Sequence, residues 1–331
     1  MRVLITGGAG FIGSHLVEHL IKKKDIKKIL IIDNLLDGTL KNLKNCLNNK
    51  KVSFFKKDIR NFKNICDTFK KIDVVIHLAA LSDVVPSIQQ PRHYMENNIT
   101  GTINILEAMR KAKVKKIIYA ASSSCYGIPK KYPTSENEKT DPKYPYAKSK
   151  LIAEQLIAHW HKVYDIDYVS LRLFNVYGPR SRTNSSYGAA LGVFIKQKLS
   201  NKPFTIIGTG NQKRDFVYVS DVCSAFYKAI KYNKETSSIF NIGKGSARSV
   251  NEMVKILGGP KKYIPKRPGE PDITLANIKK AIKYLNWMPK INLELGLKKV
   301  MLEKNYWKNA PLWTPKKIQI ATKEWFQYLK K

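Results

Sequence analysis

A glycine-rich loop separates an apolar run from an amphipathic stretch at the start of the chain, in "RVLITGGAGFIGSHL" (2–16). The run before the loop is continuous and rich in β-branched residues, which is typical of a strand buried in a parallel sheet. Glycines between such a strand and a helix allow a tight turn. They also bring backbone N–H groups and the helix N-terminus close to an anion. This unit predicts an α/β chain with a phosphate site at its first turn.

The spacing of the glycines makes this prediction more specific. Gly8, Gly10 and Gly13 fit G-x-G-x-x-G, and Gly7 starts an overlapping G-x-x-G-x-x-G. The next apolar run ends in Asp33. A carboxylate there accepts hydrogen bonds from an adenosine ribose and repels a 2′-phosphate. The pattern therefore indicates a dinucleotide site that prefers NAD to NADP.

Apolar runs and helical spacing alternate through the first half of the chain. The predicted strands cover 2–7, 28–34, 52–58, 73–80, 115–123 and 168–178, and the predicted helices cover 11–24, 60–71, 97–112 and 146–164. Such alternation predicts βαβ units and a Rossmann-like, doubly wound parallel sheet. We expect an NAD-binding domain over 1–175 and, over 176–331, mostly a smaller α/β substrate-binding domain with a C-terminal helical extension. A strand at 238–243 is expected to return to the main sheet.

Composition bears on the class of protein and its compartment. The chain has 331 residues, 43% of them hydrophobic, which is enough for a large core. No apolar run approaches the ~20 residues that span a bilayer, and the N-terminus has no signal-peptide pattern. The four cysteines are scattered and form no C-x-x-C motif. We therefore expect a cytoplasmic protein with reduced thiols and no membrane partner.

The net charge of +35 raises the question of a nucleic-acid partner. Most of the 60 basic residues are lysines spread along the whole chain, without a basic tail or a helix-turn-helix pattern. We interpret them as a solvated surface that would also attract an anionic small substrate. Nucleic acid is not expected as a partner. The non-enzyme alternative is an NAD-binding scaffold with a polyanion-binding surface.

Two motifs carry candidate side chains for chemistry. "HLVEH" (15–19) matches the H-x-x-E-H zinc pattern, but no third ligand can be placed and the helix follows the glycine loop, so we predict no metal site. "YPYAKSK" (144–150) places Tyr146 and Lys150 one helical turn apart. A lysine ammonium and a cationic nicotinamide would lower the pKa of the phenol toward the working pH and make it a general base. The simpler alternative is an ordinary pair on an amphipathic helix.

These motifs belong to a longer ordered set. Its members are "TGGAGFIG", Asp33, "HLAA", "NN" at 97–98, "SSSCYG", "YPYAKSK" and "RLFNVYGP". With this set the chain resembles the extended short-chain dehydrogenases/reductases, in the nucleotide-sugar epimerase/dehydratase branch. The resemblance covers nearly all of the chain up to about Tyr306. It implies NAD as cofactor, a nucleotide-diphosphate sugar linked to UDP as substrate, and a homodimer formed through helices 97–112 and 146–164.

The resemblance also implies roles for individual residues. The catalytic residues would be Ser122, Tyr146 and Lys150. The residues around the dinucleotide would be Gly7, Gly10, Phe11, Ile12, Gly13, Asp33, Asn34, Asp58, Ile59, Leu78, Ala79, Ala80 and Asn98, with Tyr146 and Lys150. The residues that bind the sugar nucleotide would be Ser123, Ser124, Asn175, Arg214, Arg267 and Glu270. Guanidinium groups suit this task because their planar fork matches phosphate oxygens.

Three serines, Ser122 to Ser124, occupy the positions where related dehydratases carry Thr-Asp-Glu and decarboxylases carry a glutamate. No acid is available there, and oxidation followed by re-reduction at one carbon needs only a base and a hydride carrier. We therefore predict a UDP-hexose 4-epimerase of the glucose, N-acetylglucosamine or glucuronate type, acting through a transient 4-keto sugar. UDP-glucuronate decarboxylation is the main alternative and 4,6-dehydration a lesser one. The sugar-facing loops expected at 84–88 and 180–194 do not reveal which sugar is bound.

Overall fold

The computed structural model describes residues 1–181, 190–233 and 237–329. The strands are β1 (Arg2–Thr6), β2 (Lys28–Asp33), β3 (Val52–Lys56), β4 (Val74–His77), β5 (Lys116–Ser122), β6 (Asp167–Leu173), β7 (Asn175–Tyr177), β8 (Phe204–Ile207), β9 (Lys213–Tyr218), β10 (Ser237–Ile242), β11 (Ala247–Ser249) and β12 (Lys261–Ile264). The helices are α1 (Phe11–Ile21), α2 (Phe62–Ile65), α3 (Val84–Gln89), α4 (Pro91–Met95), α5 (Gly101–Ala112), α6 (Pro145–Tyr164), α7 (Ala190–Leu199), α8 (Val219–Lys231), α9 (Val250–Leu257), α10 (Lys279–Leu285), α11 (Leu293–Leu302), α12 (Pro315–Ala321) and α13 (Lys323–Tyr328).

Seven strands form one parallel sheet in the order β10-β6-β5-β4-β1-β2-β3. The order reverses between β1 and β4, which creates the crevice at which doubly wound sheets bind ligands. The predicted Rossmann-like α/β fold is thus confirmed. The strand expected at 238–243 is β10, which pairs in parallel with β6.

Helices cover both faces of this sheet. Successive strand residues point to opposite faces, so Val3 and Ile5 pack in one apolar layer with α1 and α8, while Leu4 packs in the other with α5 and α6. Both layers consist mainly of buried aliphatic side chains. The packing on both faces fixes the central strands, whose carboxyl ends lie together at one edge of the sheet. The candidate site lies along this edge.

The single strand expected over 168–178 is wrong. The structure divides it at Phe174, whose N–H donates to Ile242 O at 2.9 Å at the end of the main sheet. Residues before this point form β6, and those after it form β7, which pairs with β9 in a separate three-stranded sheet. The apolar pattern is continuous across both strands, so the sequence gives no sign of the change of sheet. The domain boundary at 175 stays a prediction.

Two expected helices also differ from the structure. The one expected at 60–71 is only α2 followed by a 3₁₀ turn, Cys66–Phe69. The one expected at 97–112 begins earlier, because α4 continues through a π turn, Glu96–Thr100, into α5. Single π turns inside helices are frequent at functional sites.

The predicted C-terminal extension contacts both halves of the chain. Helix α13 packs against α3, which belongs to the first half. The extension therefore bridges the two halves at the rim of the crevice. Within the described ranges, every helix is too short or too polar to span a bilayer.

Candidate active site

A cavity of about 600 Å³ opens along the carboxyl edge of the main sheet. It brings together most of the sequence-predicted site residues. Those that line it are Gly7, Gly10, Phe11, Ile12, Gly13, Asp33, Asn34, Ile59, Leu78, Ala79, Ala80, Ser122, Ser123, Ser124, Tyr146, Lys150, Asn175, Arg214, Arg267 and Glu270. Asp58 and Asn98 are not among the described lining residues.

The glycine loop at the start of α1 forms one wall of the cavity. Gly7 has a φ of +73°, and a Cβ there would lie 2.7 Å from Ala79 N. A Cβ on Gly13 would lie 2.2 Å from Gly7 O. Both positions exclude any side chain, because the obstructing atoms are backbone atoms. The loop thus leaves the N-terminus of α1 accessible, as binding a pyrophosphate requires.

Asp33 lies at the end of β2 beside this loop. Its Oδ2 accepts from Ala9 N at 2.9 Å and its Oδ1 from Leu35 N at 2.8 Å. Burial raises the pKa of this carboxyl, and the two backbone hydrogen bonds oppose the rise. Each carboxylate oxygen has a second lone pair, so Asp33 can still accept hydrogen bonds from ribose hydroxyls.

Asp58 lies behind the cavity wall. Its carboxylate pairs with Arg60 at 2.7 Å, which lowers its pKa to about 2, and accepts from Asn34 Nδ2 at 3.0 Å. Asn34 itself lines the cavity, as does Ile59. Asp58 is thus placed to orient Asn34 and the backbone of its own loop.

Asn98 lies below the cavity floor, on the π turn. Its amide nitrogen donates to Leu81 O at 3.0 Å and to Ser149 Oγ at 2.9 Å, and its Oδ1 accepts from Leu81 N at 2.8 Å. These bonds join the turn after β4 to α6. Asn97, which the sequence analysis did not single out for the site, lines the cavity.

The three expected catalytic residues meet at the end of β5. Tyr146 stands in the first turn of α6, which begins with Pro145, and Lys150 follows one turn later. Burial raises the pKa of Tyr146, and a hydrogen bond with Ser122 opposes the rise. Burial also lowers the pKa of Lys150 to about 7. The expected lowering of the tyrosine pKa requires the cationic nicotinamide as well as the lysine, and it stays a prediction for the protein with its cofactor bound.

The serines extend a chain of hydroxyl groups away from Tyr146. Ser122 Oγ donates to Ser124 Oγ at 3.1 Å, and Ser124 shares a hydrogen bond with Tyr144. The rings of Tyr144 and Tyr146 stack with centroids 6.5 Å apart. Tyr144 was not singled out from the sequence, although it is part of the "YPYAKSK" motif. The structure makes it a second tyrosine of the site.

A carboxylate that was not predicted from the sequence also lines the cavity. Asp83 precedes α3, lines the cavity and raises the pKa of Tyr146 through its charge. The three serine positions carry no acid, but the cavity as a whole does. Asp83 lies about 40 residues before the serines in the sequence, so the spacing of the serine motif could not reveal it.

Two arginines from the second half of the chain face the crevice. Arg267 pairs with Glu270 at 2.6 Å, and Arg214 lies 3.9 Å from the same carboxylate. Burial lowers the pKa of Arg214, Glu270 raises it and the charge of Arg267 lowers it. Asn175 Oδ1 accepts from Thr274 Oγ1 at 2.9 Å nearby. The arrangement offers two guanidinium groups to an anion, with one carboxylate between them.

Two side chains of the "HLVEH" segment bond to the loop at 179–180, which contributes Arg180 to the cavity wall. His15 Nε2 donates to Pro179 O at 2.9 Å, and Glu18 pairs with Arg180 at 2.6 Å. Burial lowers the pKa of His15, and lowers that of His19 to about 4. Arg180 lines the cavity and was missed by the sequence analysis. Part of the expected sugar-facing loop at 180–194, residues 182–189, lies outside the described residues.

A buried polar network supports the serine turn from below. Arg172 pairs with Glu154, both about 5% exposed, and donates to Tyr126 Oη at 2.9 Å. Tyr126 Oη donates to Asn241 Oδ1 at 2.7 Å, and Ser170 Oγ donates to Glu154 at 2.7 Å. The network joins α6, β6 and β10 to the turn that follows Ser122.

These features fit NAD as a cofactor. The glycine cradle admits no side chain, a helix N-terminus faces the cavity, and Asp33 ends β2. Residues 3–243 match the NAD dependent epimerase/dehydratase family. This chain belongs to that family. Members of the family are NAD-dependent enzymes, so the prediction of an enzyme with NAD as cofactor is confirmed.

Three similar family members differ in their sugars. A putative UDP-glucose 4-epimerase of Methanocaldococcus jannaschii is 40% identical over 93% of this chain and 98% of its own length. The solved UDP-N-acetylglucosamine 4-epimerase of Methanobrevibacter ruminantium, in complex with UDP-N-acetylmuramic acid, has a TM-score of 0.84 and 33% identity over 91% of this chain and 98% of that one. The UDP-glucuronic acid 4-epimerase of Bacillus cereus, solved with UDP-glucuronic acid and NAD, has a TM-score of 0.85 and 35% identity, covering 93% and 99%.

Proposed function

We propose that this family member is a UDP-sugar 4-epimerase with Tyr146 as its general acid and base. The main support for this proposal is that Tyr146, hydrogen-bonded to Ser122, lines the same cavity as the glycine loop, Arg214 and Arg267. We infer that the cofactor and the sugar nucleotide bind side by side in this cavity. The similar proteins named above support 4-epimerisation as the reaction.

Tyr146 would take the proton of the sugar 4-hydroxyl and, after the sugar has turned, return it to the same oxygen. Ser122 shares a hydrogen bond with the phenol and would bridge it to the sugar hydroxyl. The cofactor, when bound, accepts and returns a hydride at C4. Lys150 is buried one helical turn after Tyr146 and lines the same cavity, where it would stabilise the ionised phenol when protonated.

The sugar must turn between the two half-reactions, so the protein has to hold the rest of the substrate. Arg214 and Arg267 are suited to bind the diphosphate, and Glu270 lies between them to accept from ribose hydroxyls. Asn175 lies next to this group and would contact the same part of the substrate. Ser123 and Ser124 would face the turning sugar.

The sugar itself is tested by a substrate panel. Purified protein is incubated with UDP-glucose, UDP-galactose, UDP-N-acetylglucosamine and UDP-glucuronate, and products are followed by NMR. We expect one donor to give its 4-epimer at constant mass. Release of CO₂ from UDP-glucuronate would instead assign the chain to the decarboxylases, with Asp83 as the first acid to examine.

Tyr146→Phe tests the role of the phenol. The change removes only the hydroxyl, so we expect turnover to fall about 10³-fold with NAD still bound. Tyr164→Phe makes the same change at the exposed end of the same helix and should leave turnover unchanged. Near-normal turnover of Tyr146→Phe would refute the mechanism.

A further inference from the structure

Trp325 is buried at the rim of the cavity, far along the chain from every motif discussed above. It belongs to α13 in the C-terminal extension and is 1% exposed. Its indole N–H donates to Pro268 O at 2.9 Å, in the loop that carries Arg267 and Glu270. The tryptophan is therefore attached to the backbone of the loop that we assign to the diphosphate.

The ring of Trp325 also contacts two side chains that line the cavity. The Arg267 guanidinium lies 5.6 Å from its centroid, within the range of a cation–π contact. The Tyr144 ring centroid lies 5.5 Å from that of Trp325, and the Tyr144 ring stacks in turn on Tyr146. One side chain thus links the proposed diphosphate clamp to the proposed catalytic tyrosine.

The rest of the extension anchors Trp325 to both halves of the chain. Trp325 forms an apolar cluster with Val85 from the first half, Val193 from the second half and Ile318 from α12. Gln89 Nε2 donates to Ala321 O at 3.3 Å at the junction of α12 and α13. These contacts fix the indole relative to α3 and α7 at once.

We propose that Trp325 is a positioning residue for the nucleotide part of the substrate. It holds Arg267 and its loop, residues 266–272, in the geometry that binds the diphosphate, and holds Tyr144 against the catalytic tyrosine. This inference rests on the proposed function of the arginine pair. Its physical basis is preorganisation, because a loop that is already ordered costs less free energy to bind a ligand.

Removal of the indole should therefore weaken nucleotide binding more than cofactor binding. For Trp325→Ala we expect the Kd for UDP, measured by calorimetry, to rise roughly tenfold, as for loss of a buried cation–π contact and its hydrogen bond. The KM for the sugar nucleotide should rise similarly, with a smaller change in kcat. The amount of NAD retained should not change, because the described contacts of Trp325 lie away from the glycine loop.

Two further variants keep the test decisive. Trp325→Phe keeps most of the packing but removes the donor to Pro268 O, so a rise of about threefold in the UDP Kd is expected even if the alanine variant does not fold. Tyr328→Ala, on the same helix and 58% exposed, is the matched control and should bind UDP normally.

The outcomes separate this inference from the proposed function. Unchanged UDP affinity in folded Trp325→Ala and Trp325→Phe, or equal losses of UDP and NAD, would overturn the positioning role. Calorimetry with UDP needs no turnover. Failure of every donor in the panel would therefore refute the epimerase and leave the UDP result standing.

Discussion

At the scale of a single residue, Lys150 carries an ammonium group in a buried and unfavourable environment. Its side chain is 4% exposed and its Nζ lies 4.1 Å from the centroid of the Tyr119 ring. Burial lowers the pKa of this lysine from 10.5 to about 7, while Glu154 raises it. An ammonium here is therefore held against its solvation preference, which is common for groups that serve catalysis.

We expect Lys150→Met to raise the stability of the protein and to lower its activity. The folded-state pKa lies below the unfolded value, so the native protein bears the full penalty of a buried charge below pH 7. This penalty disappears as the pH rises from about 7 to 10.5. We expect cofactor-stripped Lys150→Met to melt higher than the original protein by roughly 2–6 °C at about pH 6, and by much less at about pH 9.

Calorimetry of the two proteins at both pH values checks this expectation. Lys148→Met, exposed on the same helix, is the control and should show no such pH dependence. After NAD is added back to both proteins, Lys150→Met should show at least about a hundredfold lower turnover than the original protein. A melting difference that is equal at both pH values would contradict the assigned pKa.

At the scale of an element, the turn between β1 and α1 is fixed by contacts with other elements. Gly7 touches the backbone after β4, and Gly13 touches Gly7 itself, so β1, β4 and α1 pack at backbone distance. The sequence shows the glycines but not which backbone atoms approach them. The structure supplies those partners.

Gly13→Ala tests the close approach. The new methyl group would lie 2.2 Å from Gly7 O and 2.7 Å from Gly8 Cα, and neither atom can rotate away. We expect α1 to shift and the Kd for NAD to rise by at least about tenfold, measured by calorimetry on stripped protein. Ser14→Ala, whose hydroxyl bonds to Phe11 O within α1, should bind NAD nearly as before. Normal NAD affinity in Gly13→Ala would show that the loop is not the pyrophosphate site.

At the scale of the whole molecule, the buried Arg172–Glu154 pair joins α6, which carries Tyr146, to strand β6, which pairs with β10 at the edge of the sheet. Arg172→Met would leave Glu154 charged and buried, so we expect a loss of about 3–5 kcal/mol in the free energy of unfolding. The double variant with Glu154→Met should recover part of this loss. Denaturant unfolding gives both values.

The exposed pair Arg110–Glu107 provides the control for that experiment. Arg110→Met should cost no more than about 1 kcal/mol, because exposed ion pairs contribute little. Equal losses for Arg172→Met and Arg110→Met would show that the buried network does not support the fold. The homodimer expected through the predicted helices 97–112 and 146–164 stays a prediction.

The amino-acid sequence by itself determined the features that depend on short stretches of chain. The alternation of strands and helices, the glycine loop with Asp33, and the one-turn spacing of Tyr146 and Lys150 all follow from local periodicity. Local periodicity does not reveal a change of sheet, which is why the break at Phe174 was missed.

Only the tertiary structure decided which distant residues meet and how strongly they are buried. It placed Asp83 near Tyr146 and packed Trp325 between Tyr144 and Arg267. It also showed that burial raises the pKa of Tyr146 in the protein without a cofactor, because desolvation depends on everything that surrounds a group. Contacts between residues far apart in sequence are set by packing of whole elements, and no local pattern records them.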